Sequence, residues 1–214
     1  LGRAIALALA RAGWRVAVHH RASAEDAAAT VGACAAWTAG AFALQADLDD
    51  VRAPAALVEQ CVAVWGRLDA VVNSASRFEF ADAGTLEPAG VAAHMRTNAT
   101  APVLLAQALQ RHVQARLGHP AASPGTPVPA VVVNLLDQKL WNTNPDFFSY
   151  TMSKAALAEA GTMLALALAP HVRVVGVAPG LTLPSTTMSD ADFAALHRLS
   201  PLGLAGLFLL PVDL

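Results

Sequence analysis

The chain has 214 residues, of which 55% are hydrophobic and 14% charged, and its net charge is −2. That length suits one domain, residues 1–214, with a substantial core, and so small a net charge offers no basic field for nucleic acid or an anionic membrane surface. Alanine on helices supplies much of the hydrophobic content and Glu159 interrupts the longest apolar helical stretch, so no membrane span is expected and the cytoplasm is the expected location.

Helical and strand patterns alternate along the chain. Residues 2–12 predict a helix ended by Gly13, and residues 14–19 (W-R-V-A-V-H) a short buried strand. Ser23, with Asp26 three residues on, reads as a capping box opening the next helix. A strand is predicted over 41–45, a helix over 51–65 and a strand over 68–73 (L-D-A-V-V-N). One long helix is predicted over 88–117. The Pro, Gly and Ser content of 118–129 marks a surface loop. A strongly apolar strand over 131–136, a helix over 148–168 and a strand over 172–177 complete the pattern. Cys34 and Cys61 fall in separate helical segments without metal-ligand spacing, which predicts reduced core thiols and no metal site. Apolar strands alternating with helices predict α/β architecture, a doubly wound parallel sheet with helices on both faces.

In such a sheet ligands gather where strands end. After the first strand come His20, Arg21 and Ser23, where a cofactor carrying a free ribose diol would call for a carboxylate. A cation beside a helix N-terminus suits a 2′-phosphate instead, although a solvated arginine and an ordinary helix cap would look the same. Asp47 and Leu48 end the next strand, where Asp47 suits either an adenine amino group or a helix cap. Asn73, Ala75 and Ser76 end the third, where small residues admit a ligand or simply make a tight turn. Asn98 lies inside the long helix, four residues before Pro102, so either the helix is irregular there and the amide turns toward a site, or Asn98 is exposed. Asp137 leaves the V-V-V-N-L-L strand, poorly solvated and suited to exchange a proton, or to cap the loop holding Lys139 and Trp141. Pro179, Gly180 and Thr182 end the last strand.

Tyr150 is the only tyrosine, and Lys154, one of two lysines, stands one helical turn away on the same face. An adjacent ammonium would favour the phenolate and lower the phenol pKa from about 10.

Taken together, the L-G-R-A-I-A helix start, Asp47-Leu48, N-S-A-S, Asn98, Tyr150-x-x-x-Lys154 and Pro179-Gly180 resemble the short-chain dehydrogenase/reductase family over residues 1–202. Within it the chain is most similar to pteridine and dihydropterin reductases: H-R-A-S resembles their H-R-S, N-S-A-S-R-F their N-N-A-S-x-F, and Asp137 stands where other members carry a serine. The resemblance implies a Rossmann-like fold and an NADPH-dependent oxidoreductase acting on a pterin-like small molecule, with a homotetramer as the assembly. By the same resemblance Tyr150 is the proton donor with Asp137 in the relay, Lys154 holds the nicotinamide ribose, and Asn98 orders the site. Gly2, His20, Arg21, Ser23, Asp47, Leu48, Asn73, Ala75, Ser76, Pro179, Gly180 and Thr182 would line the cofactor. Phe78 and Ser76 would touch the pterin, together with Asp137 and Tyr150. A reductase of another carbonyl or imine, and a degenerate non-catalytic relative, are the alternatives.

The chain departs from the family at its ends. It opens on Leu1-Gly2-Arg3 inside a helix pattern, with the family's first strand missing, and closes on an uncapped apolar stretch. A fragment of a longer reading frame is expected. Loss of a central strand predicts two unpaired interior sheet edges, poor folding and weak NADPH binding.

Overall fold

The computed structural model describes residues 1–117, 128–181 and 189–198, and the backbone of 207–210. Helix α1 (Gly2–Arg11) ends at Gly13, whose φ of +85° is the left-handed conformation that glycine adopts freely. The Trp14 N–H donates to the Leu9 carbonyl and closes that helix, so β1 (Ala17–His20) starts three residues later than the pattern predicts. Helix α2 (Ala24–Cys34) follows, but the Ser23 hydroxyl makes no capping bond. Ser23 has ψ 63°, outside the extended conformation that aims a cap side chain at the first turn, so the expected capping box does not form. Next come β2 (Phe42–Gln45), α3 (Ala53–Trp65) and β3 (Ala70–Asn73); Gly66, at φ +74°, caps α3.

The single long helix expected over 88–117 is interrupted. It runs as α4 (Pro88–Met95), a π-helical turn (Arg96–Thr100) and α5 (Ala101–Leu117). Pro102 has no N–H to return to the carbonyl of Asn98, four residues earlier, so the ladder must loosen there. Strand β4 (Ala130–Leu135), a 3-10 turn (Gln138–Trp141), α6 (Phe148–Leu168) and β5 (Val172–Pro179) complete the core. Helix α7 (Asp190–His197) follows, capped by the Ser189 hydroxyl, which accepts from the Asp192 N–H. The uncapped apolar stretch near the end, for which the pattern predicts no element, contributes β6 (Leu207–Leu210).

Strands β3, β4 and β5 are parallel, and β6 runs antiparallel to β5 from Pro179↔Leu207 to Gly176↔Leu210, so the sheet is mixed rather than wholly parallel. Strands β1 and β2 form a separate parallel pair. Among the described residues the facing edges of β1 and β3 are not paired with each other. A cavity of about 490 Å³ lies between them, lined by Val16 to His19, Ala70 to Asn73 and the inner face of α1. Helices α1 and α2 enclose one apolar cluster, around Ala6, Ala10, Val16 and Cys34. Helices α3 and α5 pack on Leu44 and Leu48, and α5 and α6 on Val132, Val172 and Val174. The architecture is Rossmann-like α/β. Cys34 and Cys61 are buried and free, and no described helix is long and apolar enough to cross a membrane.

Candidate active site

Three segments converge at the carboxyl ends of β3 and β4. The strand ends are clamped first: Asn73 Nδ2 donates to Asn134 Oδ1 at 2.8 Å, a buried amide pair across the two strands. One residue beyond Leu136, Asp137 caps the 3-10 turn, with its Oδ1 accepting the Lys139 N–H at 2.9 Å. Its other oxygen, Oδ2, accepts the Tyr150 hydroxyl at 2.6 Å. The cap of the 3-10 turn and the contact with the phenol therefore coexist at Asp137, because a carboxylate has an oxygen for each.

Tyr150 and Lys154 stand one turn apart on α6, and both are buried. Lys154 Nζ donates to the Leu135 carbonyl at 2.7 Å and lies 5.7 Å from the centre of the Tyr150 ring. The expected lowering of the phenol pKa is not what this geometry produces. Burial, then the Asp137 charge and the hydrogen bond to it, push the Tyr150 phenol above its ordinary value. Burial is also the main influence on Lys154, pulling its ammonium from 10.5 down to about 8 against the opposing pull of Asp137. In this arrangement the Tyr150 hydroxyl keeps its proton and donates it in the hydrogen bond to Asp137.

Asn98 is 1% exposed, and the π turn directs its amide inward. Its Oδ1 accepts the Arg77 N–H at 2.7 Å and the Ser76 hydroxyl at 3.3 Å. Its Nδ2 donates to the Arg77 carbonyl at 2.9 Å and to Ser153 Oγ at 3.0 Å. Ser153 Oγ donates in turn to the Tyr150 carbonyl at 2.6 Å. One side chain thus ties the segment after β3 to the helix that carries Tyr150. A further bond reinforces the tie, the Phe148 N–H donating to the Ala81 carbonyl at 2.7 Å, while the Glu79 N–H donates to His94 Nε2 of α4 at 3.4 Å and anchors the segment on that side.

That tied segment presents Phe78, 48% exposed, with its ring 4.7 Å from the Tyr150 ring in an edge-on contact. Phe147 stacks on Phe78 with centroids 4.2 Å apart and planes 7° from parallel.

At the neighbouring strand ends the groups are more open. Arg21 and Ser23 are exposed, and Arg21 is in none of the ion pairs among the described residues. His20 Nδ1 is buried with no hydrogen-bond partner there. Asp47 Oδ1 accepts the Asp49 N–H at 3.0 Å, capping a turn before α3 rather than the helix itself, and Leu48 is buried in the core beside Leu44 and Leu57. Gly2 opens α1 against Ser74, Ala75 and Ser76 are exposed, and Pro179 and Gly180 are half-buried at the end of β5. Thr182 lies outside the described residues.

The family model for short chain dehydrogenases matches residues 1–195. The chain belongs to the short-chain dehydrogenase family. Among its relatives, pteridine reductase 1 of Leishmania tarentolae is 33% identical over 220 residues, covering 86% of this chain and 73% of that protein. Dihydromonapterin reductase of Citrobacter koseri is 29% identical over 155 residues, covering 72% and 60%. The solved structure of alternative dihydrofolate reductase 1 from Brucella canis, an NADP complex, superposes with a TM-score of 0.82 at 34% identity over 95% of this chain and 76% of that one. As a member of the family the protein is an oxidoreductase.

Several residues that shape this short-chain dehydrogenase site carried no sequence signal. Ser153 and Asn134 are ordinary residues inside a helix and a strand until the fold sets them against Asn98 and Asn73. His94 is 1% exposed and tautomer-dependent in its bonds to Gly90 and Ser149. The bidentate Arg96–Asp49 pair, at 2.7 and 3.1 Å, spans 47 residues and holds Asp49 below the usual carboxylate range. Phe147 could have been noticed as one of four phenylalanines, with Phe78, Phe80 and Phe148, flanking the candidate motifs.

Proposed function

We propose that this protein is an NADPH-dependent reductase of a pteridine ring, with Tyr150 as the proton donor. The observation that carries the proposal is the 2.6 Å bond from the Tyr150 hydroxyl to the Asp137 carboxylate, beside the partly exposed ring of Phe78. A carboxylate in contact with the donor suits protonation of a basic ring nitrogen, because it can restore the proton that Tyr150 gives up. The relatives named for pteridine and dihydrofolate reduction support the same chemistry.

The strand ends fit the cofactor. His20 Nδ1, orphaned among the described residues, the exposed Arg21 cation, in none of their ion pairs, and the Ser23 hydroxyl, which does not cap its helix, together offer donors for a 2′-phosphate. Asp47 would take the adenine, and Asn73, Ala75, Ser76, Pro179 and Gly180 would border the rest of the cofactor, with Lys154 on the nicotinamide ribose. When bound, NADPH supplies the hydride. Phe78 would hold the pterin flat by stacking, a contact worth about 0.5–1.5 kcal/mol beyond its buried area. The bonds of Asn98 fix Phe78 relative to Tyr150, so ring and donor approach in one geometry. Tyr150 then donates its proton to the ring nitrogen, and Asp137 orients the hydroxyl and passes on a replacement proton from solvent. A homotetramer would cover the exposed apolar side chains Met152, Met163 and Leu166 of α6.

Steady-state NADPH oxidation by the full-length protein tests the proposal. Dihydrobiopterin or dihydrofolate should be turned over at least tenfold more efficiently than a panel of ketones; the reverse preference would reject a pteridine substrate.

A further inference from the structure

Beyond the residues assigned so far, the only lysine other than Lys154 occupies a defined place at the mouth of the site. The Lys139 N–H bonds to Asp137 Oδ1, so the same carboxylate that holds Tyr150 fixes the backbone of Lys139. Its ammonium lies 5.9 Å from the centre of the Phe147 ring, and Phe147 stacks on Phe78. Cation and rings thus form one continuous wall leading outward from Tyr150.

Two features set this wall apart from ordinary surface. Phe147 has φ 53° and ψ 47°, a left-handed conformation that a bulky side chain rarely adopts. That conformation costs about 1–2 kcal/mol, and the stacking on Phe78 helps offset it. Strain of this kind concentrates at ligand clamps. The Lys139 ammonium, for its part, donates to the neutral Asn144 Oδ1 and is in none of the ion pairs among the described residues. It has three donors, and the amide takes one. A half-buried cation that forms no ion pair among the described residues, at the edge of an aromatic surface, is matched to an aromatic group bearing a carboxylate: the ring packs on the aromatic surface and the anion completes the pair.

We infer that Lys139 and Phe147 form a shelf for an anionic aryl substituent, so that the preferred substrate is a reduced pterin carrying an acidic aromatic tail. The inference rests on the pteridine reading for the ring itself, but the shelf concerns only the tail. Lys139 is its specificity-determining residue, and Phe147 sets the plane of the tail.

The test uses full-length protein with Lys139→Met and Lys139→Arg. Dihydrofolate carries an aryl tail with carboxylates, and dihydrobiopterin has none. Losing a charge-assisted bond at a partly exposed site should raise the ratio of KM for dihydrofolate to KM for dihydrobiopterin about tenfold in Lys139→Met. Lys139→Arg should restore most of the ratio. Calorimetric binding of folate and of biopterin to the NADP-loaded protein gives a second readout that needs no turnover. Folate should bind more tightly than biopterin to the wild type and lose that advantage in Lys139→Met. An unmoved ratio with both compounds reduced would overturn the shelf and leave the reductase reading standing. Folate binding that depends on Lys139, without reduction of either compound, would support the shelf and reject the reductase reading. Folate that fails to bind, or binds no better than biopterin, would overturn the shelf.

Discussion

Replacing Asn98 with alanine removes four hydrogen bonds at once, at 2.7, 2.9, 3.0 and 3.3 Å, from a side chain that is 1% exposed. Each neutral bond contributes about 1 kcal/mol net. The Arg77 N–H, the Arg77 carbonyl and Ser153 Oγ would also be left without this partner, although water can reach the part-buried Arg77 groups and soften the loss. Counting the three shorter bonds alone gives about 3 kcal/mol. For a protein of this size that corresponds to a fall in Tm of about 6–12 °C, readable by circular dichroism. The same change frees the segment carrying Phe78 from α6, so KM for the ring substrate should rise along with the fall in stability. A loss below about 1 kcal/mol, with KM unchanged, would refute the claim that Asn98 joins the two halves of the site.

The lowered pKa of Lys154 makes two predictions of opposite sign. Below about 8 the ammonium is charged and can serve a ribose, so kcat/KM should fall as pH rises through about 8, and Lys154→Arg should move that limb upward. Stability should run the other way. Between about 8 and 10.5 the unfolded chain keeps the proton that the folded chain has lost, so the contribution of Lys154 to stability rises with pH over that window. A profile flat through pH 8 in the free enzyme would count against the buried ammonium. The slot between β1 and β3 predicts that an apolar strand fused ahead of Leu1 raises the yield of soluble protein and tightens NADPH binding; equal solubility with and without it would show that the two edges need no partner.

Strand-end residues could be located from the sequence because apolar runs such as V-V-V-N-L-L stop abruptly at a polar residue, and α/β topology places ligands there. Asp137 could be picked out for that reason, and Tyr150 and Lys154 by their rarity and their spacing of one turn on a helix. The π turn was half legible: Pro102 predicts an irregular ladder, but not which amide it turns inward. The direction of the Tyr150 pKa was misjudged because spacing gives the neighbour and not the burial. Lys154 reaches the Leu135 carbonyl, while Asp137, thirteen residues away in the chain, reaches the phenol itself. Ser23 failed as a cap because sequence carries the residue type and not its ψ. Phe147 and the C-terminal strand β6 depend on contacts between distant segments, which no local pattern encodes.

The most direct measurement is single-turnover reduction of dihydropterin by NADPH in full-length Tyr150→Phe, followed alongside NADPH binding by fluorescence. Removing only the hydroxyl should keep NADPH affinity within about threefold while slowing reduction by at least a hundredfold, the usual scale of a lost general acid. Reduction at the wild-type rate in Tyr150→Phe would contradict the assignment of Tyr150 as the proton donor.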